Sequence, residues 1–301
     1  MIPKTVVFEF YICSMLNLGL IGNTEVLEPF VKRVRKNPQI NIVGKTSFGA
    51  SANLDSFHFS IPEFNRIELI ERAEVFLIDD SLLLPFHTMC EMVKKSKHFF
   101  IAGYPDLTVE ECTQLVKLAN ESGSVIQISN PFYFEPPVQW MNINLKTPTY
   151  LDITFFSDSF DSKSVFQLLL MLTGITGLSP KKIGAVSFQS NQCNSHFNNV
   201  RLEFSDCSVV NLNYGTLQPL NEFKIKAYSP RQFVILDFAG KTYQCNNEPL
   251  DFSVLPPASE FDFFTGAVSG KTHTVSNMED YLIVLNAVQK INKKIAQFYN
   301  P

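Results

Sequence analysis

Between Leu16 and Ile128 the chain alternates short apolar runs with longer amphipathic stretches, and this rhythm leaves few folds open. The apolar runs Leu16–Ile21, Ile40–Val43, Val75–Ile78, Phe99–Ile101 and Val125–Ile128 are too short for helices and read as strands buried on both faces. Between them, Glu25–Lys36, Pro62–Ala73, Pro85–Lys95 and Val109–Ser122 carry helical spacing. Strands joined through helices form a parallel sheet with right-handed crossovers, so this half is expected to be Rossmann-like. Thr108-Val109-Glu110-Glu111 and Ser276-Asn277-Met278-Glu279 match the capping box, which satisfies free amides where a helix starts.

After Asn130 the texture changes. The stretch "NPFYFEPPVQW" is rich in proline and aromatics and reads as a boundary with packing between domains. Beyond it, Ile183–Ser190, Asn199–Phe204, Ser208–Tyr214, Glu222–Tyr228 and Gln232–Phe238 alternate apolar with polar residues, after a single early helix at Lys163–Thr173. The fold class expected is α/β plus α+β, a Rossmann-like parallel sheet followed by a mainly antiparallel open sheet with helices on one face. The expected divisions are 1–14 as an N-terminal extension, 15–130 as a nucleotide-binding-type domain, 131–275 as a sheet domain and 276–301 as a helix that packs back. A sheet with one uncovered face needs a partner, and the surplus of Phe and Val in this one predicts a homo-oligomer formed through it.

Composition removes other classes. A net charge of −4 with scattered basic residues gives no reason to expect nucleic acid, and no stretch outside the first residues is apolar and long enough to span a bilayer. Cys13, Cys90, Cys112, Cys193, Cys207 and Cys245 form no CxxC pair and read as reduced thiols, which points to the cytoplasm. His58, His196 and His273 lack metal-ligand spacing, and no metal is expected. His98 reads as structural, and His87 as a helix-start histidine near the cleft.

Three segments in this order, "LGLIGNTEV", "AEVFLIDDSLLLPFH" and "KHFFIAGYPDLTVEECTQLVKLANESGSVIQIS", resemble the nucleotide-binding domain of the Gfo/Idh/MocA oxidoreductases. Further on, "VFQLLLMLTGITGLSPKKIGAVSF", "VRLEFSDCSVVNLNY" and "FKIKAYSPRQFVILDFAGKTY" look like the second domain of that family. The resemblance implies an NAD(P) cofactor and chemistry on a hydroxyl or carbonyl of a sugar, cyclitol or related small molecule.

The departures are specific. Gly103-Tyr104-Pro105 stands over the Glu-Lys-Pro motif of the family, so Tyr104 replaces the lysine that would hold the developing alkoxide. The family's Asp-x-x-x-His segment falls near Phe160 to Ser164, where there is no histidine and only Asp161 or Ser164 could bind a hydroxyl. At the phosphate-binding turn Gly22 keeps the first small position, followed by Asn23, while Thr24 takes the second and Leu27 the third. After the second strand, Lys45 with Ser47 favours the 2'-phosphate of NADP over NAD. Asp79 and Asp80 end the central strand pointing opposite ways, so at most one faces the ligand crevice; Asp80 is taken with Gly22, Asn23, Thr24, Lys45 and Ser47 as a cofactor-binding candidate, while carboxylates beside a pyrophosphate would repel it. Two readings follow. One is a protein with lost or strongly altered catalysis that acts as a binding or partner subunit, with NADP, NAD or neither as its ligand. The other is an active NAD(P)-dependent oxidoreductase with Tyr104 as its acid.

Overall fold

The computed structural model describes residues 15–46, 61–79, 84–145, 148–158, 160–190, 195–217, 220–252 and 259–299. The expected extension 1–14, Ser47, Asp80, His58, Cys13 and Cys193 lie outside these residues.

In the first half β1 (Leu16–Ile21) leads into α1 (Thr24–Val34), β2 (Ile40–Thr46), α2 (Arg66–Arg72), β3 (Val75–Ile78), α3 (Phe86–Lys94), β4 (His98–Ile101), α4 (Val109–Ser122) and β5 (Ile126–Ile128). The five strands are parallel in the order β2-β1-β3-β4-β5, the Rossmann-like arrangement expected from their apolar runs. One helix starts late. Instead of beginning α2, residues 61–65 lie along β2, with the Lys45 amide donating to the Pro62 carbonyl and the Phe64 amide to the Lys45 carbonyl, both at 2.9 Å. Asn65 then caps α2 by accepting from the Glu68 amide.

The proline-rich boundary is helical, because Pro131, Pro136 and Pro137 occupy the first or second helical position, where a missing N–H breaks no intrahelical bond. Asn130 caps α5 (Pro131–Phe134), and α6 (Pro136–Asn144) follows directly. Then come β6 (Tyr150–Phe156), α7 (Ser162–Thr176), β7 (Lys182–Ser190), β8 (Ser195–Glu203), β9 (Val209–Thr216), β10 (Glu222–Tyr228), β11 (Phe233–Asp237), β12 (Thr242–Cys245), β13 (Glu248–Pro249), α8 (Glu260–Val268) and α9 (Met278–Tyr299). The second sheet has eight strands in the order β13-β12-β11-β10-β6-β9-β8-β7, and only β6 and β9 pair in parallel. Its inward residues, Leu151, Ile153, Val200, Leu212, Ile225 and Leu236 among them, share one continuous core with α3, α4, α7 and α9.

The far face of the first sheet has its own cluster. Leu18, Leu20, Leu77 and Phe100 pack there against Leu27 and Val31 of α1 and against Phe261 and Phe264 of α8. Phe100, fully buried, meets the rings of Phe30, Phe261 and Phe264 at centroid distances of 5.3, 5.6 and 5.7 Å. So α8, within the stretch assigned from sequence to the second domain, belongs to the packing of the first sheet. At the start of α9 the expected box at Ser276 forms one residue later: Asn277 accepts from the Asp280 amide, and the Asp280 carboxylate accepts from the Asn277 amide. Ser276 has a positive φ of 58° and its hydroxyl accepts from the Asn130 side chain, while Glu279 accepts from Asn120.

Phe100→Ala empties the hub that joins α8 to the sheet, and the expected loss of stability is about 3–5 kcal/mol. Chemical denaturation measures it, and a loss under about 1 kcal/mol would show that α8 is not needed for the core.

Candidate functional site

The strand C-termini of an open parallel sheet face its ligand crevice, and the sequence-predicted residues gather there. Gly22 follows β1 with φ at +121°, a backbone state that disfavours any other residue, and its amide donates to the Thr46 carbonyl at 3.1 Å. Asn23 is the N-cap of α1, its carbonyl accepting from the Leu27 amide. The Asn23 amide donates to the Asp79 carboxylate at 3.0 Å. Asp79, the residue after β3, is set in place by its own amide, which donates to the Ile21 carbonyl at 2.9 Å. Thr24 opens α1, and Leu27, only 1% exposed, is part of the core beneath the helix.

Lys45 pairs with Leu20 near the end of β2 and is 8% exposed, its backbone closed off by residues 61–65. Gly22, Asn23 and Lys45 therefore converge on adjacent strand ends. A dinucleotide pyrophosphate at this turn would have to share the Asn23 amide with a carboxylate of its own sign, and as arranged the residues do not fit it.

Next to the turn a cleft of about 570 Å³ runs between the loops after β3 and β4, the start of α7 and the side of α9. Tyr104 lies on it, together with Asp79, Asp106, Asp161, Lys163, Ser164, Gln167 and Tyr281. The Gly103-Tyr104-Pro105 loop is pinned from α9, where the Tyr281 hydroxyl donates to the Pro105 carbonyl at 2.7 Å. The Tyr104 ring packs on Phe166 of α7 at 5.5 Å, and Phe166 stacks on Tyr281 at 6.1 Å.

Burial pushes the Tyr104 phenol well above its ordinary pKa, and Tyr281, Asp161 and Glu260 push it further the same way. The two hydroxyl-binding candidates at the start of α7 are engaged with each other. Asp161 caps the helix through the Ser164 amide at 2.9 Å and accepts from the Ser164 hydroxyl at 2.8 Å.

Two other features fall elsewhere. His87 lines a groove between α2 and α3 with Ile67, Ile70 and Met92, away from the cleft. The His98 Nδ1 accepts from the Val125 amide at 3.0 Å, and burial lowers its pKa, which makes it a neutral structural residue. Lys163 and Gln167 were not singled out from sequence. Their spacing of four places them on one face of a helix, and that signal was present.

No protein-family model matches the chain, and no curated protein matches it by sequence. Solved structures match it over most of its length. UDP-N-acetylglucosamine 3-dehydrogenase GnnA from Acidithiobacillus ferrooxidans superposes with a TM-score of 0.77 at 16% identity, over 94% of this chain and 98% of that one. Biliverdin reductase from Synechocystis sp. PCC 6803, in complex with biliverdin and NADP+, gives 0.71 at 14% identity, over 94% of this chain and 100% of that one. An oxidoreductase from Agrobacterium radiobacter in complex with NAD+, L-tartaric acid and magnesium gives 0.73 at 13% identity, over 94% and 97%. At these identities the likeness is one of fold alone, a Rossmann-like parallel sheet followed by a mainly antiparallel one. Among the described residues no helix is long and apolar enough to cross a membrane.

Glu260, at the start of α8, is partly buried and its pKa is raised chiefly by loss of solvent, although the Asn130 amide at 2.6 Å and the Ser129 hydroxyl pull the other way. A carboxyl raised in the folded state binds its proton more tightly there than in the unfolded chain, so folding loses stability as pH rises from the usual 4.5 through the raised value. Glu260→Gln keeps an acceptor for Asn130 and removes the titration. Its melting temperature relative to the native chain should therefore climb as pH rises above 4.5 and level off once the pH has passed the raised value. A difference that does not vary with pH would count against this assignment.

Proposed function

We propose that this chain is an oxidoreductase-fold protein that has lost hydride-transfer catalysis and serves as a binding or partner subunit. The carrying observation is the environment of Tyr104. Proton transfer to or from a reacting hydroxyl calls for a group poised near neutral pH, or a cation to hold the alkoxide. Tyr104 supplies neither: its phenol is buried, and the ionisable groups that shift it, Tyr281, Asp161 and Glu260, all raise its pKa. Among the described residues lining the cleft there is no imidazole, and Asp161 and Ser164 bond each other. Three aspartates face one lysine across this space, which suits a small polar ligand better than the two phosphates of a dinucleotide.

The competing reading, an active NADP-dependent oxidoreductase, draws on Lys163, the cation that α7 brings to the cleft. One experiment separates the two. The chain is incubated with NAD+ or NADP+ and sugars, sugar nucleotides or cyclitols, and reduced nicotinamide is followed. No turnover above the uncatalysed rate is expected. Sustained turnover that Lys163→Met abolishes would overturn the proposal in favour of the active enzyme.

The partner we assign is a second copy, meeting across the outward face of the second sheet. By strand register that face carries Asp152, Thr154, Asn199, Asn211, Asn213 and Lys224, tied together by Asn199 to Asn213 at 2.7 Å and Asn213 to Asp152 at 3.3 Å. Beside this polar centre, on the edge strand β7, Val186 and Phe188 are 46% and 58% exposed, which a buried contact would relieve. The free cysteines Cys90 and Cys112, both buried, agree with a reducing compartment, and we place the protein in the cytoplasm. Val186→Asp with Phe188→Asp should leave the fold intact and convert the oligomer to monomer in sedimentation velocity. A native chain that already sediments as a monomer at micromolar concentration would remove this assignment.

A further inference from the structure

We propose that Asp79 is a built-in substitute for the cofactor phosphate, and that it closes the glycine turn to dinucleotides. The free amides at a helix start, with the positive end of the helix dipole, form a seat for an anion. Here the first amides of that start are already engaged. Gly22 retains the positive φ that lets a backbone come close, yet its amide is spent on Thr46, and the next amide, that of Asn23, is held by the Asp79 carboxylate at 3.0 Å. Asp79 is no loose surface side chain. It directly follows β3, its backbone amide is bonded to Ile21 at the end of β1, and its position is set by the pairing of β1 with β3.

Asp79 also lines the cleft that holds Tyr104. A cofactor reaching from the turn to that cleft would have to pass this carboxylate. The carboxylate does for α1 what a phosphate would do, since it accepts an orphan N–H and places negative charge at the helix start. It does so without a ligand, and it repels any phosphate that approaches. This concerns cofactor binding, not the chemistry at Tyr104, so it stands or falls apart from the loss of catalysis.

The test uses the full chain with two probes, inorganic phosphate and NADP+. Asp79→Ser empties the seat, and Asp79→Asn keeps an acceptor but removes the charge. Phosphate, against a chloride control of equal ionic strength, should raise the melting temperature of Asp79→Ser and leave the native chain unchanged. In calorimetry NADP+ should bind Asp79→Ser at least about tenfold tighter than the native chain, with Asp79→Asn between them. Folded Asp79→Ser that gains affinity for neither probe overturns the proposal, as does a native chain that binds NADP+ as tightly as the variant. Should Asp79→Ser fail to fold, Asp79→Asn decides: tighter NADP+ binding than the native chain supports the proposal, and equal affinity overturns it. Hydride transfer by the native chain would overturn the functional reading, and these binding measurements would still judge Asp79 separately.

Discussion

A parallel sheet has to be covered on both faces, and in this chain the connections that build the first sheet do not cover both. Three of its helices, α2, α3 and α4, pack on the same face, where Leu69, Met92 and Leu115 join the main core. The other face receives only α1 from the first half; its Phe30 reaches the ring of Phe100 at 5.3 Å, and the rest of that ring is left to be covered by residues from later in the chain. The chain resolves this by coming back. After completing the second sheet it returns as α8, and Phe261 and Phe264 close over Phe100. It then runs on as α9 along α4 and α7, so the last helix joins both halves. The first domain is thus finished by residues far along the chain, and the two sheets cannot be treated as independent folding units.

The cleft inherits its geometry from this return. Because α9 passes beside the loop after β4, Tyr281 can bond the Pro105 carbonyl and Phe166 can fill the space between Tyr281 and Tyr104. Because α8 starts beside the end of β5, the partly buried Glu260 bonds the Asn130 amide and adds to the raised pKa of Tyr104. The electrostatic character of the cleft is therefore a consequence of how the sheet is covered. A lysine in place of Tyr104 would sit amid the same aromatic packing. What the present residue gains is apolar contact, and what it gives up is charge.

This explains which parts could be read from the sequence. The five strands and α1, α3 and α4 announce themselves through local periodicity, which needs no knowledge of the rest of the chain. The capping box at Thr108 is equally local and is found where expected, with Glu111 accepting from the Thr108 amide. Where tertiary demands override a local signal, the reading slips. Ser276 matches a cap, but Asn130 takes its hydroxyl, and Asn277 caps α9 instead. Residues 61–65 carry a helix-start proline, but the edge of β2 takes up their backbone groups. The α8 helix had a usable sign in Ser259 and Asp262, whose side chains bond at its start, yet the need for a helix there appears only when the uncovered face is counted. That Asp79 meets the turn depends on the close approach of β3 to β1, a tertiary fact that strand alternation does not carry.

The exchange of a ligand for an internal carboxylate has a wider physical consequence. A helix start that lacks its anion leaves amides unsatisfied and dipole charge uncompensated, and a scaffold that relies on a bound phosphate for both is stabilised only when that ligand is present. A carboxylate on the neighbouring strand is held near its seat by the chain itself, so it gives up no translational freedom to bind there. Asp79 therefore satisfies one of these amides with no ligand bound. If Asp79 stands in for a phosphate, it also sets a threshold for binding a cofactor, since a phosphate would compete with an anion that is already in place and covalently part of the scaffold. On this view the charge at the end of β3 and the absence of a cation at Tyr104 reinforce each other. A site with no bound dinucleotide has no hydride for Tyr104 to assist, and a cleft without that chemistry places no demand on Asp79 to make way.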